Sequence, residues 1–271
     1  MGQVPGAHLR PLAQGELEYA VGICAPLFWY EQGQIKPRNG TTFFLRLPSQ
    51  TIGVTAAHVV DGWLEDRSKG IAGPLLIAGN GQLPLPLDWD TRCISNDGDL
   101  DISTYRISEG ELTQLGKFSM ELHPEDWPCE DWPCKDIKYK EPLVYAGYAA
   151  DATRIAHDGG PIFGAVCATD VAQSVNNHTV SVQLIREHLM AARGAGVPPE
   201  NFNFGGISGG VLLRRVDNMR PFRFGGVIYQ GPNTSQDEGQ NIAGFEVIRA
   251  RLAKFLRCDG TLDGAAWERL K

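Results

Sequence analysis

Apolar and polar positions alternate in short runs through most of this chain. Thr41-Thr42-Phe43-Phe44-Leu45-Arg46-Leu47 and Thr51-Ile52-Gly53-Val54-Thr55 flank Pro48-Ser49-Gln50, which predicts a hairpin. The apolar and aromatic run from Tyr19 to Tyr30 predicts a strand before it, and Pro74–Ala78, Leu83–Leu87 and Ile102–Ile107 continue the rhythm. A polar, acidic stretch from Ser108 to Glu141 interrupts the pattern and reads as a connection. Strand-like runs resume at Leu143–Tyr148, Ile162–Thr169, His178–Ile185, Val211–Arg215 and Phe224–Gln230, with turn chemistry at Asn176-Asn177 and Asp217-Asn218. Near the end, Phe245, Ile248, Leu252 and Phe255 recur at helical spacing, which predicts an amphipathic C-terminal helix ended by Cys258-Asp259-Gly260. Two groups of short strands and a final helix predict an all-β fold of two small barrels. Residues 15–112 form the first lobe, 113–142 the connection, and 143–271 the second lobe with its helix.

Composition narrows the function classes. The 271 residues suffice to bury a full core. A net charge of -7 argues against a nucleic-acid groove, because phosphate binding needs a surplus of Lys and Arg. No stretch is long and apolar enough to span a bilayer, and Met1–Gly15 has no apolar core of signal-peptide length. The Met-Gly start lacks the Ser or Thr at position 6 that myristoylation wants. Cys24, Cys93, Cys129, Cys134, Cys167 and Cys258 are scattered, and none flanks the segments singled out below. Reduced thiols in the cytoplasm are the expectation. The tandem Glu125-Asp126-Trp127-Pro128-Cys129 and Glu130-Asp131-Trp132-Pro133-Cys134 predicts an exposed, duplicated loop. Its two thiols make at most half a metal site, and its tryptophans offer anchors for a partner.

Three segments carry chemistry, and their order matters. Thr55-Ala56-Ala57-His58 comes first, Asp99-Leu100-Asp101-Ile102 second, and Gly205-Gly206-Ile207-Ser208-Gly209-Gly210 last. A base, a carboxylate to orient it and a serine in a glycine-rich turn are the parts that activate a hydroxyl for acyl transfer. Gly206-Ile207-Ser208-Gly209-Gly210 also satisfies G-x-S-x-G, but that elbow needs its histidine after the serine, and the last histidine is His188. The order Asp, His, Ser needs an aspartate ahead of the base, and none precedes His58. The order His, Asp, Ser remains. Asp99 competes with Asp101 for the carboxylate role, and Ile102 with Arg106 favours Asp101. His8, His123, His157, His178 and His188 lack such context.

On these residues the chain resembles the trypsin-like (chymotrypsin-fold) serine peptidases. Thr55-Ala56-Ala57-His58 matches the T-A-A-H motif, Asp101–Ile107 resembles the aspartate segment, and Gly206-x-Ser208-Gly209-Gly210 matches the serine turn. Gly226-Val227-Ile228-Tyr229-Gln230-Gly231 resembles the strand that lines the substrate cleft. The resemblance runs from about Tyr19 to Leu256. It implies two antiparallel six-stranded β-barrels with the active site between them. It also implies a peptidase in which Ser208 attacks, His58 is the base, Asp101 orients it, and the backbone N–H groups of Gly206 and Ser208 form the oxyanion hole. Tyr229, Gln230 and Gly231 would line the cleft, and Phe202, six before the nucleophile, would floor the specificity pocket. Glu246 would bring a negative charge to that pocket and favour a basic residue before the cut.

Departures from the pattern are informative. Many secreted relatives carry an aspartate before the nucleophile, which pairs with a new N-terminus after zymogen cleavage; here Ile207 stands there and makes no such pair. In this the chain resembles HtrA-type and other bacterial members, and too few residues follow Ser208 for an appended PDZ domain. The expectation is a cytoplasmic serine endopeptidase with a protein or peptide substrate. It needs no metal or organic cofactor and binds neither nucleic acid nor membrane, and a regulatory protein partner or a narrow substrate range controls it. The alternative is a protease-fold binding or scaffold module, or a partner-activated protease whose cleft is closed when alone.

Overall fold

The β-branched and aromatic runs become strands, and the computed structural model describes residues 14–80, 83–122, 137–157, 160–191, 202–215, 222–232 and 246–270. The first part holds α1 (Gln14–Gly22), β1 (Cys24–Trp29), β2 (Arg38–Arg46), β3 (Thr51–Thr55), α2 (Ala57–Ser68), β4 (Leu76–Ile77) and β5 (Leu85–Pro86). It continues with α3 (Trp89–Arg92), β6 (Cys93–Asp97), β7 (Ile102–Arg106), α4 (Glu109–Gln114) and β8 (Met120–Glu121). The second part holds β9 (Pro142–Tyr148), β10 (Arg154–Ile155), β11 (Pro161–Ile162), β12 (Ala165–Val175) and β13 (Thr179–Gln183). After these come β14 (Met190–Ala191), β15 (Val211–Arg215), β16 (Phe222–Gln230), β17 (Val247–Leu252) and α5 (Gly264–Leu270).

The second sheet closes. Its antiparallel order is β13-β17-β16-β15-β9-β12, and β12 pairs back with β13. The closing device is β12 itself, which pairs with β9 along its first part and with β13 from Ala172 onward. A register shift between Ala172 and Ser174 bends the strand from one partner to the other, as bulges do at barrel corners. The first sheet, β5-β4-β1-β2-β3-β7-β6 with β8 beside β2, is curled, with no closing pair among the described residues. One closed six-stranded barrel, one curled half-barrel sheet and a small C-terminal helix give the chymotrypsin-like two-barrel fold that the sequence implies.

The central residues of β2 are buried on both faces, and its alternation feeds two cores. Phe43 and Leu45 join the cluster shared with the second sheet, where the Phe43 ring lies 5.5 Å from Phe224. Phe44, one residue on, turns into the first lobe beside Val60, Trp63 and Tyr105. The hairpin Pro48-Ser49-Gln50 forms as expected, with Leu47 N–H donating to Gln50 O at 2.8 Å.

Several local readings change. Tyr19–Gly22 ends a helix and only Cys24–Trp29 is strand, because Leu17 and Ala20 bury one face of α1. The predicted helix over 245–256 is β17 followed by a 3-10 turn, and the C-terminal helix lies later, at Gly264–Leu270. Ile248 and Leu252 are four apart, which fits period two as well as a helical turn; buried Ala250 between the half-buried Arg249 and Arg251 selects the strand. The connection is more than a linker, since α4 opens it and β8 extends the first sheet. Asp217-Asn218 and the tandem repeat lie outside the described residues. Among the described residues no helix is long and apolar enough to cross a membrane.

A capping box starts α4. Ser108 Oγ accepts the Glu111 N–H, and the Glu111 carboxylate accepts the Ser108 N–H at 2.9 Å and Arg92 Nη2 at 2.6 Å. The Arg92 bond, with the Ser108 bonds, outweighs burial and holds the Glu111 carboxyl down at about 2. The stability this supplies is present above the ordinary value of 4.5 and lost as pH falls towards 2. Glu111→Gln is expected to cost about 1 kcal/mol at neutral pH. Urea midpoints of variant and wild type, measured against pH, should converge as acid protonates Glu111.

Candidate active site

His58 is the second residue of α2, immediately beyond β3, so its N–H belongs to the helix's first turn and lacks an intrahelical acceptor. Asp101 supplies one. Its Oδ1 accepts the His58 N–H at 2.9 Å, and Oδ2 lies 2.8 Å from His58 Nδ1. Both the backbone and the ring of the histidine are therefore fixed by one carboxylate. Asp101 is left-handed (φ 55°), a conformation aspartate tolerates better than most residues, and it sits at the entry to β7. Asp97 builds the approach, since its Oδ1 accepts the N–H groups of Asp99 and Leu100 at 3.0 and 2.9 Å. Asp101, and not Asp99, reaches the histidine. Arg251 of the second lobe donates from Nε to Leu100 O at 2.9 Å, bracing the same loop.

The serine turn can be accounted for peptide by peptide. Gly205 O accepts Ala150 N–H, Gly206 O accepts Thr41 Oγ1 at 2.7 Å, Ile207 O accepts Gly210 N–H, and Ser208 O accepts Thr41 N–H at 2.8 Å. On the donor side, Gly205 bonds Asn203 Oδ1, Ile207 bonds Phe204 O, Gly209 bonds Ile228 O and Gly210 bonds Ile207 O. Among the described residues, no acceptor takes the N–H of Gly206 or Ser208. A trans peptide sets its C=O and N–H on opposite sides, so the anchored Gly205 and Ile207 carbonyls direct these two N–H groups away from their anchors.

The turn docks on the strand that leads to His58. An added Cβ at Gly209 would stand 1.9 Å from Thr41 O and 2.3 Å from Thr55 Oγ1, and Gly209 has φ +86°. Only glycine fits that seam. Ile207 is fully buried, its methyls reaching the faces of Gly147 and Gly231. Ser208 Oγ donates to Tyr229 O at 3.3 Å rather than to His58. Catalytic hydrogen bonds are often loose in unliganded sites, and rotation about one side-chain bond redirects this hydroxyl.

The cleft residues divide. Gly231 packs against Ile207 and Phe204, which sets the Tyr229–Gly231 edge beside the serine turn. The guanidinium of Arg251 lies 4.3 Å from the Tyr229 ring centroid, and Gln230 Oε1 accepts Arg249 Nη1 at 2.9 Å. Phe202 is buried edge-on against Phe204, with centroids 4.8 Å apart. Glu246, expected to bring a negative charge to the pocket, has its carboxylate gripped by Arg186 with two bonds of 2.5 and 2.6 Å. Thr41, Asn39, Arg186 and Arg251 escaped the sequence reading. Thr41 sits among strand-forming residues with no motif to mark it, and Arg251 was concealed by the wrong period assigned to β17.

No protein-family model matches this chain, and no curated protein sequence does. Among solved structures it is similar to the HtrA-type protease AlgW, at 14% identity and a TM-score of 0.43, over 93% of this chain and 60% of that one. The chain thus spans about three fifths of that protein's length. It is also similar to the thermostable serine protease AL20 from an extremophilic microorganism (12% identity, TM-score 0.47, 92% of this chain and 94% of that one). A third likeness is to the protease Anisep from Arthrobacter nicotinovorans (12% identity, TM-score 0.46, 93% and 97%).

Gly209 and Gly33 separate clash from strain. Both have positive φ, but an added Cβ at Gly33 meets nothing within 4 Å. Gly33→Ala is expected to cost about 1–2 kcal/mol, the left-handed strain alone. Gly209→Ala adds overlap with backbone on the other lobe and is expected to cost several kcal/mol more, enough to abolish folding in a protein of ordinary stability. Denaturant midpoints of the two variants test this.

Proposed function

We propose that this chain is a trypsin-like serine endopeptidase acting through an acyl-enzyme. The observation that carries the proposal is a convergence: a histidine fixed by a carboxylate, and a serine turn whose unclaimed N–H groups are those of Gly206 and Ser208. In this reading Ser208 Oγ leaves Tyr229 O, passes its proton to His58 Nε2 and attacks the scissile carbonyl. Asp101 accepts the Nδ1 hydrogen, which keeps Nε2 free as a base and stabilises the imidazolium. The Gly206 and Ser208 N–H groups bind the oxyanion, each contributing roughly 3 kcal/mol to lowering the barrier. His58 then protonates the leaving amine, and water, activated by the same base, releases the acyl group. Nothing in these steps requires a metal or organic cofactor. Free thiols at Cys24, Cys93, Cys167 and Cys258 fit a reducing compartment, and we place the activity in the cytoplasm on that basis.

The substrate backbone would lie along Tyr229–Gly231. With Phe202 at the pocket and Glu246 already neutralised by Arg186, an apolar residue before the cut suits the site better than a basic one. Replacing Glu246 by Gln would remove a negative charge bonded to Arg186, and cleavage profiling on a peptide library should shift towards acidic residues. A profile identical to wild type would place this ion pair outside the specificity pocket.

The Ser208–Tyr229 hydrogen bond favours a second reading, a closed site that opens only with a partner. Labelling by a fluorophosphonate probe distinguishes the two. Wild type should label while Ser208→Ala and His58→Ala do not, and Asp101→Asn should slow labelling by up to about 10,000-fold. A folded wild-type protein that stays unlabelled when pure but labels in native lysate supports partner activation. One unlabelled in both is a binding module.

A further inference from the structure

We infer that the Thr41 side-chain hydroxyl is a positioning residue that holds the oxyanion-binding turn in its working geometry, an inference that rests on the peptidase reading above. A threonine hydroxyl has one hydrogen to donate and lone pairs to accept with. Here the hydrogen goes to Gly206 O at 2.7 Å, and a lone pair takes the Tyr148 N–H at 2.8 Å. Thr41 is fully buried and Tyr148 nearly so, so the hydroxyl makes both bonds away from bulk water. Its backbone completes the grip, with Thr41 N–H on Ser208 O and Thr41 O accepting Thr55 Oγ1 at 2.6 Å.

The consequence is directional. Gly206 has φ +91° and no side chain, so its two flanking peptides have an unusually wide range of orientations. The peptide before it is pinned by Ala150 N–H on Gly205 O, and the one after it by the Thr41 hydroxyl at one end and Phe204 O at the other. Releasing the Thr41 bond frees the carbonyl of Gly206, and the Gly206–Ile207 peptide that links the two donor-bearing peptides can then turn, which changes the angle between the Gly206 and Ser208 N–H groups. Tyr148 connects the clamp to its surroundings, because Asn39 Nδ2 donates to its carbonyl and Lys117 Nζ to its phenol. The residue before the nucleophile is the buried Ile207, so the turn is held by a neutral hydroxyl from the other lobe.

The test compares Thr41→Val, Thr41→Ser and Thr42→Val in the full chain. Thr42 is equally buried on the next position of β2, but its hydroxyl bonds Val54 O and Tyr105, away from the turn. On the best peptide from library profiling, Thr41→Val should lower kcat about 10- to 100-fold with KM nearly unchanged, a loosened donor costing less than a deleted one. Thr41→Ser should restore most of the rate. Thr42→Val should lower the melting temperature without that loss of kcat. Thr41→Ala carries the same expectation as Thr41→Val where the valine variant does not fold. Equal kcat in Thr41→Val and Thr42→Val overturns the clamp and leaves the peptidase reading standing. A wild type inert towards both probe and peptides overturns that reading, and a crystal structure of Thr41→Val then decides the clamp alone. A Gly206 carbonyl rotated from its wild-type direction supports it, and an unmoved one refutes it.

Discussion

Everything in this molecule that bears on chemistry depends on one seam, where a turn of the second lobe meets β2 and β3 of the first with no room for a Cβ. Gly209 presses on Thr41 O, Thr55 Oγ1 and the start of the segment that runs through Ala56 to His58. That contact couples the positions of Ser208 and His58 although 150 residues of sequence separate the two segments. Side chains of ordinary size would hold the turn away from the strand by several ångströms, more than any acid–base chemistry tolerates. The aromatic contact of Phe43 with Phe224 and the burial of Ile207 press the lobes together; the glycines define how close they come.

Polar groups then set orientation within that packing. The first lobe holds its histidine through Asp101, and the loop bearing Asp101 is shaped by Asp97 from within and by Arg251 from the other lobe. Arg251 also lies over Tyr229 and over Trp267 of α5, so the C-terminal helix reinforces the carboxylate loop through one guanidinium. The weak desolvation of a delocalised guanidinium suits it to such a sandwiched position better than an ammonium. The Glu246 carboxylate is occupied by Arg186, which shows how far a charge inferred at a site depends on its neighbours.

The legible parts of this fold were those written in local patterns. The β2–β3 hairpin, β15 and the three chemical segments could be read because turn residues, strand periodicity and short motifs are all contained within a few positions. Helix α2 was missed because its apolar residues Val59, Val60 and Trp63 are few and broken by Asp61 and Gly62, so docking on the first sheet, not periodicity, decides it. The C-terminal helix was displaced because a four-residue spacing belongs to both periods. At the candidate site, the segments could be singled out from the sequence and the partners of their residues could not. Nothing near Asp101 in sequence announces Arg251, nothing near Glu246 announces Arg186, and Thr41 lies 167 positions before the serine whose turn it grips.

The resting hydrogen bond of Ser208 follows from the same economy. The partly buried Ser208 hydroxyl donates to Tyr229 O, and at 3.3 Å that bond is long enough to yield readily. The surrounding peptides are different, since each carbonyl from Gly205 to Ser208 is claimed by a donor fixed in the fold. Freedom of rotation is thus left to one side chain, while the neighbouring backbone is held. Under the proposed peptidase reading, packing across the seam would hold the Gly206 and Ser208 N–H groups in place during folding, so that little reorganisation would remain for the reaction.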